Sequence, residues 1–155
     1  MKKILIILIA VLFTIAVSGQ ASAFFYLDDD RTVTEVVADF YKFMSEGRLE
    51  WMRQSLAPEA VEHLNSAVTN EEFGRLGEIF RTADEVKREN IKIFITGNSI
   101  DAGSINGDEI KATIKYDYKV TVVKEDETRK ETAKDVVFLK RYGKRWFITN
   151  IKKAE

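Results

Sequence analysis

Between Ile110 and Val122 every second residue is apolar: Ile110, Ala112, Ile114, Tyr116, Tyr118, Val120 and Val122. Lys111, Thr113, Lys115, Asp117, Lys119 and Thr121 stand between them. Successive side chains of a strand point to opposite faces, so this spacing predicts one long strand with an apolar face and a wet face. At about 3.3 Å per residue it would run roughly 40 Å, well beyond the usual strand. A strand that long bends, and other elements must cover its apolar side.

The preceding residues supply helices for that cover. Thr32-x-x-Glu35 has the form of a capping box, and Val33, Val36, Val37, Phe40, Tyr41 and Met44 then recur at helical spacing. Gly47 is placed to end this helix. A short second helix is predicted over Arg48 to Leu56, with Trp51 beside its apolar face, and Pro58 suits the first turn of a third. Thr69-x-x-Glu72 forms a second capping box, before a fourth helix carrying Phe73, Leu76, Gly77 and Phe80 on one face. Gly74 and Gly77 are expected to let that helix approach the sheet closely, the alternative being space left for a ligand.

From Ile91 the period changes to two. Ile91, Ile93 and Ile95 open a strand, Gly97-Asn98 interrupts it with a bulge or turn, and a long loop region is expected from Gly97 to Asn106. Asn106-Gly107 is a hairpin signal. Further strands are predicted from Lys130 to Tyr142 and from Arg145 to Lys152. Val137 and Leu139 share one face of the third strand, and Val136 and Phe138 the other. Helices first and an antiparallel meander afterwards make an α+β layout.

The first 23 residues have the three parts of a secretory signal peptide: basic Lys2-Lys3, an apolar run from Ile4 to Val17, and Ala21-x-Ala23 before Phe24. The competing reading is an uncleaved anchor over residues 4–27. Either way the rest is expected to be extracytoplasmic, periplasmic or secreted, or anchored in the inner membrane with the domain outside. Residues 24–31 read as a linker, its Asp28-Asp29-Asp30 run solvated rather than metal-binding, and residues 32–155 as one domain.

With no cysteine in the chain, disulfides, a lipid-modified N-terminal cysteine and cysteine-ligated zinc are excluded. Acidic side chains outnumber basic ones between residues 24 and 106, and the reverse holds from 107 to 155. A net charge of −1 on an exported chain speaks against a nucleic-acid partner.

Residues 36–47, Val-Val-x-x-Phe-Tyr-x-Phe-Met-x-Glu-Gly, the Leu56-Ala57-Pro58-Glu59 segment, and the closing run from Phe138-Leu139 through Tyr142-Gly143 to Trp146-Phe147-Ile148 together resemble the nuclear transport factor 2-like, or cystatin-like, superfamily. The resemblance covers about residues 32–152, and is closest to exported bacterial domains of unknown function. It implies N-terminal helices packed in the concave face of a strongly bent antiparallel sheet, a cone, with pairing through the sheet common. Enzymes of the superfamily, such as ketosteroid isomerase and polyketide cyclases, place an Asp or His base inside the cone.

No such set can be matched here residue by residue. His63 falls at the edge of its helix's apolar stripe, and Asp39 and Asp117 fall on outer faces. The acids as a group are expected outside the cone, apart from Asp101, which the 97–106 loop could fold over its mouth. Tyr116 and Trp146 are expected in the core. Tyr41, Trp51, Phe80, Tyr116, Tyr118 and Trp146 are the residues expected to line any pocket. No metal site, cofactor or catalytic group is assigned. The expectation is an exported, non-catalytic domain that binds a small apolar molecule or an envelope protein, with a homodimer through the sheet. The alternatives are a cone-pocket enzyme of isomerase or cyclase type and a membrane-anchored assembly module.

Overall fold

The computed structural model describes residues 31–65 and 71–155. The signal segment with Ala21, Ala23 and Phe24, the Asp28–Asp30 run, and Thr69 of the second capping box lie outside the described residues. Among the described residues no helix is long and apolar enough to cross a membrane.

Helix α1 spans Val33–Ser45 and opens on the expected capping box. Glu35 N donates to Thr32 Oγ1 at 3.3 Å, and Thr32 N donates to Glu35 Oε2 at 2.7 Å. Its buried stripe is Val33, Val36, Val37, Phe40, Tyr41, Phe43 and Met44. Gly47 beyond it has φ +67°, and a Cβ there would sit 2.6 Å from Lys87 N. Glycine is therefore needed twice over, for the left-handed backbone and for the close approach of another helix end.

Two short helices follow, α2 (Leu49–Gln54) and α3 (Pro58–Asn65). Between them Ala57 N donates to Ile148 O and Ile148 N to Ser55 O, both at 2.8 Å. A 3-10 turn, Glu71–Phe73, leads into α4, Gly74–Lys87, which buries Leu76, Ile79, Phe80 and Ala83. Close approach is not what Gly74 and Gly77 provide. A Cβ at either would meet nothing within 4 Å. Gly77→Ala is accordingly expected to stabilise the domain by about 1 kcal/mol, the helix-propensity difference, read as a higher midpoint in urea unfolding.

The sheet is an open antiparallel meander in the order β1-β2-β3-β4, with β1 at Ile91–Ala102, β2 at Glu109–Val122, β3 at Glu127–Tyr142 and β4 at Arg145–Lys153. The long loop expected from Gly97 to Asn106 is mostly strand. One residue is absorbed in a bulge between Ile95 and Gly97, after which pairing resumes and continues to Ala102 opposite Ala112. Asp101 is thereby fixed opposite Thr113, exposed on a strand, and does not fold over a cone mouth.

The alternation in β2 holds: Ile110, Ala112, Ile114, Tyr116 and Val120 are buried. Val137 and Leu139 of β3 and Ile148 and Ile151 of β4 continue the same buried face, and the helices cover it. Trp146 departs from the expected core position. It is partly buried at the margin of the core, with the Arg141 guanidinium 5.5 Å from its ring centroid.

Candidate functional site

Asp135 is the most constrained polar side chain of the domain. It precedes Val137 and Leu139 by two and four residues, so the pleat turns it to the helix-covered face, and its side chain has no solvent exposure. A carboxylate there is tolerable only if paired and hydrogen-bonded. Three elements provide for it. Arg75 of α4 grips it with two prongs, Nε to Oδ1 at 2.9 Å and Nη2 to Oδ2 at 3.0 Å. Tyr41 of α1 donates its hydroxyl to Oδ2 at 2.8 Å, and Tyr116 of β2 donates to the same oxygen at 3.2 Å.

The network runs outward from there. Arg75 Nη2 also donates to the Tyr116 hydroxyl at 2.9 Å, and Nη1 to Glu78 Oε2 at 3.0 Å. Lys153 Nζ lies 3.3 Å from the same Glu78 oxygen. Charges thus alternate from the surface inward: Lys153, Glu78, Arg75, Asp135. Hydrogen bonding from Arg75 holds the Glu78 carboxyl below the usual range. Burial works against the Arg75 charge, but its hydrogen bond to Asp135 and the neighbouring charges outweigh that and raise its pKa.

Burial, and then the charge of Asp135, pushes the Tyr41 and Tyr116 hydroxyls well above the ordinary phenol value. Tyr118 is pushed up to about 12, by burial and then by its 2.7 Å hydrogen bond to Glu131. All three keep their protons at neutral pH and act as donors. The sign of the linkage follows. Their folded pKa values lie above the unfolded value of 10.0, so their contribution is intact below pH 10 and is lost as pH rises toward 12 and beyond. Urea midpoints are expected to be insensitive to tyrosine ionisation up to pH 10 and to fall above it, with phenolate absorbance appearing together with unfolding.

Of the six expected pocket residues, the structure brings three together. Tyr41 and Tyr116 pack with ring centroids 4.8 Å apart, and Tyr116 stacks on Tyr118 at 5.3 Å. Phe80 joins Phe40 at 6.1 Å. Trp51 lies instead against Phe43, under Arg48, and Trp146 sits apart beneath Arg141. The expectation that the acids lie outside the cone is overturned at Asp135. Val136 to Leu139 are apolar on both faces, so β3 alone does not show which side turns inward; its pairing with β2 does, setting Val137 opposite Ala112 and Asp135 opposite Ile114. Its partner Arg75 carried no signal either. His63 is exposed and stacks on Phe73 at 4.0 Å, and Asp117 is exposed and accepts from the Thr132 hydroxyl at 2.6 Å. Among the described residues no group of three His, Cys, Asp or Glu side chains is placed to hold a metal.

A second feature lies on the other face of the sheet. A groove of about 440 Å³ runs between the β1–β2 connection and the strands, lined by Ser104, Asn106, Lys111, Phe138, Lys140 and Thr149 among others. Phe138 lies between two ammonium groups, Lys111 at 5.4 Å and Lys152 at 5.7 Å from its ring centroid.

Among solved structures, a Streptomyces avermitilis protein of the NTF2-like family, described as a dehydratase, superimposes with a TM-score of 0.50 at 16% identity, covering 79% of this chain and 92% of that one. The chain has the nuclear transport factor 2-like fold. The association domain of C. elegans CaMKII matches with a TM-score of 0.52 at 11% identity, covering 79% of this chain and 92% of the other. The intermembrane-space region of the chloroplast protein ARC6 matches with a TM-score of 0.52 at 15% identity, covering 80% and 95%. No family model matches the chain, and no curated protein matches it significantly in sequence. The helices and bent open sheet are those of the nuclear transport factor 2-like cone. Because enzymes and association domains share this fold, ligand binding and protein interaction are both within its range, and the choice falls to the site.

Proposed function

We propose that this chain is an exported, non-catalytic domain that binds a protein partner in the cell envelope. One observation carries the reading: among the described residues, the one fully buried carboxylate is already engaged by protein donors. Asp135 Oδ2 accepts from Tyr41, Tyr116 and Arg75, and Oδ1 is held by Arg75 Nε. A general base needs a lone pair aimed at a substrate proton, with room for the substrate beside it. Here protein donors take that place, and Tyr41, bonded to it, and Ile114, opposite it in β2, are each only 1% exposed. The tyrosines cannot substitute, since they hold their protons at neutral pH. A small apolar molecule inside the cone would have to displace these side chains, whereas a partner on the outside would not.

Export rests on the three-part signal at residues 1–23, with retention as an anchor over 4–27 as the variant form. The test is gentle purification of the full chain from its native envelope, followed by N-terminal sequencing and mass spectrometry of what accompanies it. A start at Phe24, or a membrane-bound chain retaining Met1 with the domain outside, supports export. A stoichiometric partner chain supports the interaction reading. A retained small molecule, together with a turnover abolished by Asp135→Asn in a protein that still folds, would replace it with the enzyme reading. A homodimer through the sheet is the other partner of interest, and sedimentation at micromolar concentration decides it.

A further inference from the structure

We infer that the sheet face turned away from the helices is the docking surface, and that its partner is an acidic protein segment carrying an apolar side chain. This rests on the interaction reading above and names the chemistry of the partner.

The outward positions of β2 are Glu109, Lys111, Thr113, Lys115, Asp117, Lys119 and Thr121. Across the ladder, Lys115 faces Lys134 and Lys119 faces Lys130. Like charges placed directly opposite in a sheet are destabilising, so these pairs have no rationale within the fold. Lys140 and Lys152 extend the same surface along β3 and β4. The acids among the outward strand positions are three: Asp101 opposite Thr113, Asp117 bonded to Thr132, and Glu109, which faces Lys140 and is the single carboxylate lining the groove. The face is therefore a field of positive charge on a chain whose net charge is −1.

An apolar strip crosses that field. Val136 and Phe138 point outward and are only partly buried, and Phe138 floors the 440 Å³ groove. The groove has room for one apolar side chain on the Phe138 ring, while Lys111 and Lys140 stand at its sides to meet carboxylates. An apolar anchor with a charged surround is how a small interface obtains both affinity and orientation.

Charge complementarity chooses among occupants. A second copy using the same face would set lysine rows against lysine rows, because a two-fold interface apposes a patch to itself. A flat anionic lipid surface would satisfy the lysines but would leave the groove unfilled. An acidic segment with one apolar side chain uses both.

The experiment uses the full-length chain purified from its envelope and a synthetic peptide with one phenylalanine flanked on both sides by glutamates. Binding is measured by fluorescence anisotropy at two salt concentrations. Expected are saturable binding that weakens with salt, and a loss of roughly tenfold or more in the Lys111→Glu, Lys140→Glu double variant, equivalent to about 1.4 kcal/mol or more. Changing the peptide phenylalanine to serine should weaken binding, and changing its glutamates to lysines should abolish it. Carbodiimide cross-linking of the native complex should join Lys111, Lys115 or Lys140 to carboxylates of the partner.

Four results overturn the proposal. Cross-links from these lysines to a second copy, or to Asp28–Asp30 of the same chain, would show that the surface is already occupied. Lysine-dependent binding to phosphatidylglycerol vesicles without peptide binding would make it a lipid contact. No peptide binding, with a co-purified partner cross-linked to the helices instead, would sink this surface while leaving the interaction reading intact. No partner chain and no peptide binding would remove both.

Discussion

Asp135→Ala is expected to destabilise the domain by about 3–5 kcal/mol, because it leaves the Arg75 charge and two tyrosine hydroxyls facing a dry hole. Urea unfolding at neutral pH measures it. The same reasoning predicts rescue. Converting the ion pair to apolar residues of similar size, Asp135→Leu with Arg75→Met, removes both charges and should recover much of the loss. Glu78 and Lys153 can then pair with each other at the surface. A loss below about 1 kcal/mol in the single variant would mean that water reaches Asp135 in the folded protein, and the case for a closed cone would go with it.

Tyr41→Ala is the second large effect. Tyr41 is 1% exposed, lies against Phe40 and Tyr116, and holds the buried carboxylate. Truncating a large buried aromatic costs about 3–5 kcal/mol. Tyr41→Phe keeps the ring and removes only the donor to Asp135. It is expected to cost about 1.5–3 kcal/mol, the range for a hydrogen bond to a charged group. Equal losses in the two variants would assign the whole effect to the hydroxyl, and a neutral Tyr41→Phe would assign it to packing. Comparing the two urea midpoints separates these outcomes.

Much of the fold was legible because its signals are periodic. The strict alternation over residues 110–122 placed β2 with its correct inward set, and Thr32-x-x-Glu35 marked the start of α1 directly. The bulge at Ile95–Gly97 was legible as an interruption but not as one that heals. Whether pairing resumes depends on the partner strand, and local sequence carries no record of that. Gly74 and Gly77 misled for a related reason. Glycine in a helix signals either a close neighbour or none, and only the packing distinguishes the two. The buried site was hidden for the same reason. The run from Val136 to Leu139 is apolar on both faces, so only the register with β2 turns Asp135 inward. Arg75 was hidden as well, since an arginine two residues into a helix usually faces water, and here it reaches inward to Asp135 and Tyr116. The outward lysines of β2 were visible as the wet half of an alternation. That they face Lys130 and Lys134 became meaningful only with the register of β3.

The paired hydrogen bonds between residues 55–57 and Ile148 have a consequence for the order of events. The helices are synthesised first, yet the segment joining α2 to α3 finds its backbone partner only in the last strand. Tyr41 likewise waits for Asp135, 94 residues later. Contacts of such sequence separation form late, because the intervening chain must be ordered before they repay its entropy. Until β4 is available, Ser55 O and Ala57 N lack their mates, and the inner face of the sheet has no complete cover. The unfinished chain therefore has no stable native-like stopping point. The chain stays pliable and locks only when its final residues arrive.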